Sequence, residues 1–224
     1  MLGFYSQAHG AAFVTDTFTG STGSAVTSHT RDDGGSWSVF SDSADGAVIN
    51  IENNRVAKSG GSGTSAYVDL LPSVSPAGAE YDMEVVVRWI EGPSYAFVDL
   101  RGRHDGSDNY YLVRLDLAGG LTLYKVISGT ATSIGSYSAS ISNGNDYAIK
   151  FEIRNATKKV YFDAGSSATT QRISSATNDI TGAGRPHLTL GGDGSSTNGF
   201  HADSFIATDA STPAATIIRH RVIQ

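Results

Sequence analysis

The feature that most constrains the fold is an alternation of apolar and polar residues with a period of two. It recurs in short segments rich in β-branched and aromatic side chains, which favour extended strands. Breaks such as EGPS, HDGSDN, LAGG and SNGND have the composition of tight turns. The clearest segments are Tyr81–Trp89, Ser94–Arg103, Asn109–Leu117, Leu121–Ile127, Asp146–Arg154 and Lys158–Ala164. No stretch has a helical period, so the sequence predicts an all-β antiparallel β-sandwich.

One loop raises the alternative of a β-propeller. The stretch from Thr30 to Trp37 reads TRDDGGSW, and its Ser/Thr-x-Asp-x-Gly-x-x-Trp spacing resembles the Asp-box of sialidases. A propeller needs a similar box in each blade, and the chain has neither a second box nor a repeat of blade length. We therefore interpret the stretch as a tight loop in which Asp32 caps backbone N–H groups and Trp37 begins a buried strand.

Composition excludes several functional classes. The formal net charge of −6 argues against nucleic-acid binding, which requires a basic surface. No apolar run is long enough for a transmembrane helix, so we expect no membrane partner. The chain has no cysteine, which rules out disulfides and thiolate metal sites. The opening residues MLGFYSQAHGAAF lack the basic and apolar regions of a secretory signal, so we expect none.

The two ends differ in pattern from the middle. We predict an N-terminal arm over 1–15, a sandwich core over 16–208 and a C-terminal arm over 209–224. The segment STPAA resembles a linker, and TIIRHRVIQ resembles a strand that follows it. Two arrangements fit such arms: they contact a neighbouring subunit, or they add an edge strand to their own sheet. We favour the first and expect a homo-oligomer, with a trimer as one candidate state.

The order of these segments carries a resemblance to a known family. The phrases YDMEVVVRW, DNYYLVRLD, LTLYKV, YAIKFEIR and KKVYFDA resemble the concanavalin A-like lectin and laminin-G-type jelly-roll domains. The likeness is greatest to divergent versions in bacteriophage structural proteins and extracellular bacterial proteins. It implies a jelly-roll sandwich, a fold that carries lectins, glycoside hydrolases and capsid parts alike.

The acidic residues do not form the catalytic run of glycoside hydrolases with this fold. Those enzymes need two carboxylates that flank one glycosidic bond. Asp82 and Glu84 share a strand face, but Val86 and Val87 stand where a third acid would be required. We therefore expect a protein without catalytic residues, in which Asp82 and Glu84 lie on a solvated strand face.

Two small groups are candidates for binding. Sugar recognition combines aromatic platforms with polar groups, and the candidate residues are Arg101, Arg103, Tyr110 and Tyr111. Adjacent tyrosines point to opposite faces of a strand, so one of the pair is expected in the core. The candidate Ca²⁺ ligands are Asp105, Asp108 and Asn109, although the same loop also fits a hairpin turn without metal. No other cofactor is expected.

Three functions fit these observations. The first is a non-catalytic structural or decoration protein of a phage virion, made in the host cytoplasm, whose partners are other virion proteins. The alternative is a carbohydrate-binding module for a host or polysaccharide surface, acting on the virion or in the extracellular space. A glycoside hydrolase is the third and is favoured least.

Overall fold

The protein is described from a computed structural model, which covers residues 10–42, 47–60, 66–104, 106, 108–117 and 120–210. Within these ranges the only helical element is a single 3-10 turn at Val26–Ser28. No helix in this part of the chain has the length and apolar character needed to span a membrane.

The described residues form fifteen β-strands, and all pairings between them are antiparallel. In chain order they are β1 (Ala12–Asp16), β2 (Trp37–Asp42), β3 (Val48–Ile51), β4 (Val56–Ser59), β5 (Tyr67–Pro72), β6 (Tyr81–Ile90), β7 (Ala96–His104), β8 (Tyr110–Asp116), β9 (Gly120–Ile127), β10 (Thr130–Tyr137), β11 (Asp146–Ile153), β12 (Lys158–Ala164), β13 (Gln171–Ser175), β14 (Arg185–Gly192) and β15 (Gly199–Asp209).

These strands form two sheets. The eight-stranded sheet has the order β13-β12-β11-β6-β15-β4-β3, with β1 paired to β15 as well. The seven-stranded sheet has the order β10-β9-β8-β7-β14-β5-β2. Each sheet combines strands from distant parts of the chain, so the described residues make up one sandwich and not two. The predicted all-β antiparallel architecture is confirmed.

The inward side chains of both sheets meet in one apolar core. On β6, Met83, Val85 and Val87 point inward, and on β14, Leu188 and Leu190 do the same. Neighbouring residues on each strand point to the outer faces, as the period of two requires. The core therefore fixes which polar side chains are available on each outer surface.

The loop that resembles an Asp-box is a tight turn, as predicted. Thr30 and Ser36 form an isolated β-bridge, and Trp37 begins β2 with 3% of its surface exposed. Inside the loop, it is Asp33 that accepts the backbone N–H of Gly35, at 2.8 Å. Asp32 instead accepts from the backbone N–H of Thr17, which ties the loop to the segment after β1.

The predicted arms lie largely outside the described residues, which begin at 10 and end at 210. The strand β1 (Ala12–Asp16) overlaps the predicted N-terminal arm, and it is part of the eight-stranded sheet through its pairing with β15. The division into arms at 1–15 and 209–224 stays a prediction.

Candidate functional site

The outer face of the seven-stranded sheet carries charged and aromatic side chains on its central strands. Asp69 alternates with the core residues Val68 and Leu70, and the same alternation applies on β7, β8 and β14. We call this surface the polar face and define it by Tyr67, Asp69, Asp99, Arg101, Tyr110, Arg114, His187 and Thr189.

Strand register brings the charged groups of the polar face into one row. Thr189 lies opposite Asp69 on one side and opposite Asp99 on the other. Asp99 in turn lies opposite Arg114 on β8. Directly paired residues in a sheet have their side chains in contact, so the row is a consequence of the register.

The carboxylate of Asp69 is fully buried and saturated by hydrogen bonds. Its Oδ1 accepts from Thr189 Oγ1 at 2.9 Å, and its Oδ2 accepts from Arg101 at 2.8 Å. His187 Nδ1 lies 3.1 Å from the same Oδ2. A buried carboxylate requires such partners, because its desolvation is otherwise costly. Asp69 therefore positions three neighbours on the polar face.

Asp99 and Arg114 form a bidentate ion pair. Nε and one terminal nitrogen of Arg114 each bond a different oxygen of Asp99 at 2.7 Å. The guanidinium also lies over the Phe97 ring, 4.0 Å from its centroid. Burial lowers the pKa of Arg114, but the hydrogen bonds and charge of Asp99 outweigh it and hold that pKa above its ordinary value. The pair is a rigid part of the surface.

Arg101 lies at the centre of the polar face, between two tyrosine rings. Its guanidinium carbon is 5.7 Å from the Tyr67 centroid and 5.4 Å from the Tyr110 centroid. Burial disfavours its charge, yet Asp69 and Asp99 keep its pKa above the usual value. Its Nε is buried and has no hydrogen-bond partner among the described residues. Arg101 thus retains one unused donor.

Four rings continue the surface from Tyr110 to the edge of the sheet. Tyr110 stacks on His104 with 4.6 Å between centroids, and His104 lies 4.4 Å from His187. Phe40 on the edge strand β2 contacts both histidine rings at 5.0 Å, and 41% of its own surface is exposed. The result is a continuous row of rings supplied by four strands, which we call the aromatic track. Phe40 and Tyr110 form its exposed part, and His104 and His187 are buried, with 5% and 1% of their surface exposed.

Two clefts border this track. One, of about 230 Å³, is lined by Phe40, His104, His187, Arg185 and the loop residues around Ser75 and Gly184. The other, of about 320 Å³, is lined by Tyr110, Arg114, Tyr124 and their neighbours on β8 to β10. Because Tyr110 stacks on His104, the two clefts adjoin a single ring pair. The surface is long enough to offer more than one contact point to an extended ligand.

Two of the four residues predicted to bind sugar lie on the polar face, and two do not. Arg101 and Tyr110 are on it and half-buried. Tyr111 points into the core and is fully buried, as expected for one member of the tyrosine pair. Arg103 has a positive φ of 57° at the end of β7, and its guanidinium is bonded to the Ala79 and Ile180 carbonyls. We therefore do not retain Arg103 or Tyr111 in the site.

The loop predicted to bind Ca²⁺ does not supply a metal site in its described part. Asn109 Oδ1 accepts from the backbone N–H of Ser128 at 2.9 Å, and the Asp108 carbonyl accepts from Gly129. Asp105 lies outside the described residues. Across the described ranges, no cluster of three or more His, Cys, Asp or Glu side chains is placed to hold a metal ion. Asp108 and Asn109, in the loop between β7 and β8, are thus bonded to the turn between β9 and β10.

Asp82 and Glu84 share the outer face of the other sheet, as their spacing predicts. Asp82 forms ion pairs with Arg154 and Lys150, and Glu84 accepts from the backbone N–H of Ala168 at 3.4 Å. Glu152 on β11 joins the network, and its pKa is lowered: burial raises it, but Lys150 more than compensates. These carboxylates form an ion-pair network on half-buried strand positions.

Sequence reasoning missed Asp69, Asp99 and His187. Each stands at an outward position of an otherwise apolar strand, in the phrases YVDLL, FVDLR and RPHLTL. An Asp or His within an apolar strand segment indicates an outward-facing polar residue, and this pattern occurs in all three phrases. It does not reveal that the three strands are neighbours in the sheet.

Comparison with known structures places the fold in a class. No protein-family model and no curated protein matches the sequence significantly. Among solved structures, carbohydrate-binding module CBM66 from Bacillus subtilis aligns with a TM-score of 0.54 at 19% identity, over 78% of this chain and 92% of its own. The VIP36 exoplasmic/lumenal domain in its Ca²⁺- and mannose-bound form aligns with a TM-score of 0.57 at 10% identity, over 80% and 85%.

A glycosyl hydrolase family 16 protein from Mycobacterium smegmatis aligns with a TM-score of 0.59 at 10% identity, over 88% of this chain and all of its own. All three structures are concanavalin A-like jelly rolls. The chain therefore has the concanavalin A-like jelly-roll fold, as its strand phrases predicted.

Proposed function

We propose that this protein is a carbohydrate-binding module that binds a glycan chain along the aromatic track of the polar face. The observation that carries the proposal is the combination of Tyr110 with Arg101. A half-exposed ring offers an apolar platform to the C–H face of a sugar, and the guanidinium beside it is held in place by Asp69. The two clefts on either side give room for successive sugar units.

The hydrogen-bonding groups of the polar face are preorganised. His187 has 1% of its surface exposed and its Nδ1 is bonded to Asp69, so it supports the face from below. Arg101 and Arg114 are locked by carboxylates and aromatic rings. Side chains already held in one rotamer lose little entropy when a ligand binds. The arrangement suits recognition of hydroxyl groups, which need donors and acceptors at fixed positions.

The descriptions of several fold neighbours agree with this function. One is a carbohydrate-binding module, and the VIP36 domain was solved with mannose. Such likeness concerns the fold, so the proposal rests on the polar face of this chain.

We infer binding without cleavage. A retaining glycosidase needs a nucleophile and an acid about 5–5.5 Å apart on either side of the scissile bond. On the polar face, Asp69 and Asp99 are fully buried and engaged by arginines, so neither is presented to a substrate. We expect no glycan hydrolysis by the full chain.

The experiment is a titration of the full-length protein against a panel of soluble neutral and acidic polysaccharides by calorimetry. We expect Tyr110→Ala to weaken the best ligand at least about tenfold, which is about 1.4 kcal/mol. The matched control is Tyr161→Ala, a half-buried tyrosine on the outer face of the other sheet. Equal losses in both variants, or no binding to any member of the panel, would contradict the proposal.

The structural role in a phage virion stays a prediction, together with the homo-oligomer and the virion location. It rested on the family resemblance, on the absence of cysteine and of a secretory signal, and on the two arms, which lie largely outside the described residues. Light scattering on the full chain measures the oligomeric state directly. A closed oligomer would support an assembly role in addition to binding, and a monomer would count against it.

A further inference from the structure

One cation at the edge of the polar face differs from the others. Arg185 is the first residue of β14 and is half-buried. Like His187, two residues further along β14, it occupies an outward-facing position of the strand. It lines the 230 Å³ cleft together with His187 and His104. Its register partner on β7 is His104. Arg185 therefore borders the cleft at one end of the aromatic track.

Arg185 has no ion-pair or side-chain hydrogen-bond partner within the described ranges. Arg101 and Arg114, on the same face, are both paired with buried aspartates. The carboxylate of Asp69, close to this cleft, already has three donors. Among the described residues that line the cleft, none is a carboxylate that pairs with Arg185.

An unpaired arginine in a cleft favours an anionic group. The planar guanidinium matches a carboxylate through two parallel hydrogen bonds, and such charge-assisted bonds are stronger than neutral ones. Ser75 lines the same cleft, and a serine hydroxyl can donate a further hydrogen bond. The chain as a whole has a net charge of −6, so its overall field repels anions. Binding of an anion here must come from local contacts.

We propose that this cleft binds the carboxylate of an acidic sugar, a uronic acid within the glycan chain, with Arg185 as its partner. The inference rests on the proposed glycan-binding function and assigns it a ligand class. Tyr110 supplies the stacking platform. Arg185 lies at the other end of the His104–His187 pair and binds the carboxylate. The other two arginines of the face, being neutralised, position hydroxyl groups.

The test compares matched ligands in buffer of about 0.15 M ionic strength, where the Debye length is about 8 Å and long-range attraction is screened. The probes are polygalacturonate, alginate and glucuronoxylan, each beside a carboxyl-esterified or neutral counterpart. Dextran sulfate beside dextran covers sulfate esters. We expect wild type to bind at least one uronate polymer, and at least about tenfold more tightly than its counterpart.

The variants separate the local contact from net charge. Arg185→Gln should lower affinity for the uronate polymer about tenfold or more, and so reduce the ratio between this affinity and the affinity for the counterpart. Lys159→Gln removes the same charge from the opposite sheet, on β12, and should change neither. A similar loss in both variants would overturn the inference, because it would show a general field effect.

The remaining outcomes distinguish this inference from the proposed function. If neutral glycans bind as well as uronates, and Tyr110→Ala abolishes binding, the polar face is a sugar site and the acidic-sugar assignment is wrong. Preference for dextran sulfate alone would also overturn the carboxylate assignment. If no polysaccharide binds, the glycan-binding function itself fails.

Discussion

Asp69 and Arg101 form a buried ion pair at the centre of the polar face, with 2.8 Å between the Asp69 carboxylate and the Arg101 guanidinium. The side chain of Asp69 has no exposed surface, and that of Arg101 is 11% exposed. In water such a pair contributes little, but in this position the loss of one partner leaves the other as an uncompensated buried charge. The pair therefore links the stability of the sandwich to the geometry of the proposed site.

We predict that Asp69→Asn lowers the free energy of unfolding by about 3 kcal/mol, because breaking one side of a buried pair costs about 3–5 kcal/mol. Urea denaturation measures the change. The control is Asp179→Asn, which removes the charge from the exposed pair with Lys125 and should have a much smaller effect. Equal effects of the two substitutions would contradict the role assigned to Asp69.

Gly191 provides a second test of how the face is built. Phe97 packs so closely on it that an added Cβ would lie 2.1 Å from the ring. Gly191→Ala must displace Phe97 and with it Arg114, which lies over that ring. We expect a loss of about 1–3 kcal/mol in stability, measured by urea denaturation, together with weaker glycan binding. At Gly78 an added Cβ meets nothing within 4 Å, so Gly78→Ala should be close to neutral.

Lys158 predicts a pH dependence of stability. It is fully buried, and its ammonium donates to the carbonyls of Arg154 and Thr177. Burial, reinforced by the charge of Arg103, lowers its pKa from 10.5 to about 8. Between these two values the unfolded chain binds more protons than the folded one, so stability rises with pH.

Urea denaturation at pH 7.5, 8.5 and 9.5 should show this rise in wild type. Lys158→Met removes the titrating group and should flatten the slope, although it also lowers stability by leaving carbonyls without a donor. A slope that persists unchanged in the variant would assign the effect to another group.

The sequence predicted the architecture because alternation alone decides which side of a strand is buried. The assignment of Tyr110 and Tyr111 to opposite faces follows from the period of two and is confirmed. Arg103 lay beyond this reasoning, since its positive φ at the end of β7 breaks the alternation and turns the side chain inward. The period does not report such local backbone changes.

The sequence did not predict which residues form the site, and the reason is a different one. Asp69, Asp99 and His187 come from strands far apart in the chain, and they meet only because β14 lies between β5 and β7. The order of strands in a sandwich is set by the topology of the whole fold, and the local pattern of a sequence does not determine it. The local pattern marked each residue as outward-facing, and the sheet order made them a cluster.

The most direct test of the central claim is an NMR titration of the full-length protein, labelled with ¹⁵N, with the tightest-binding oligosaccharide. Glycan binding at the polar face predicts that the amide signals of Arg101, Tyr110 and His187 shift, along with the Nε–H signal of Arg101. Amides of the opposite sheet, such as Glu84 and Lys150, should stay in place. Shifts confined to the opposite sheet, with the polar face unchanged, would contradict the account.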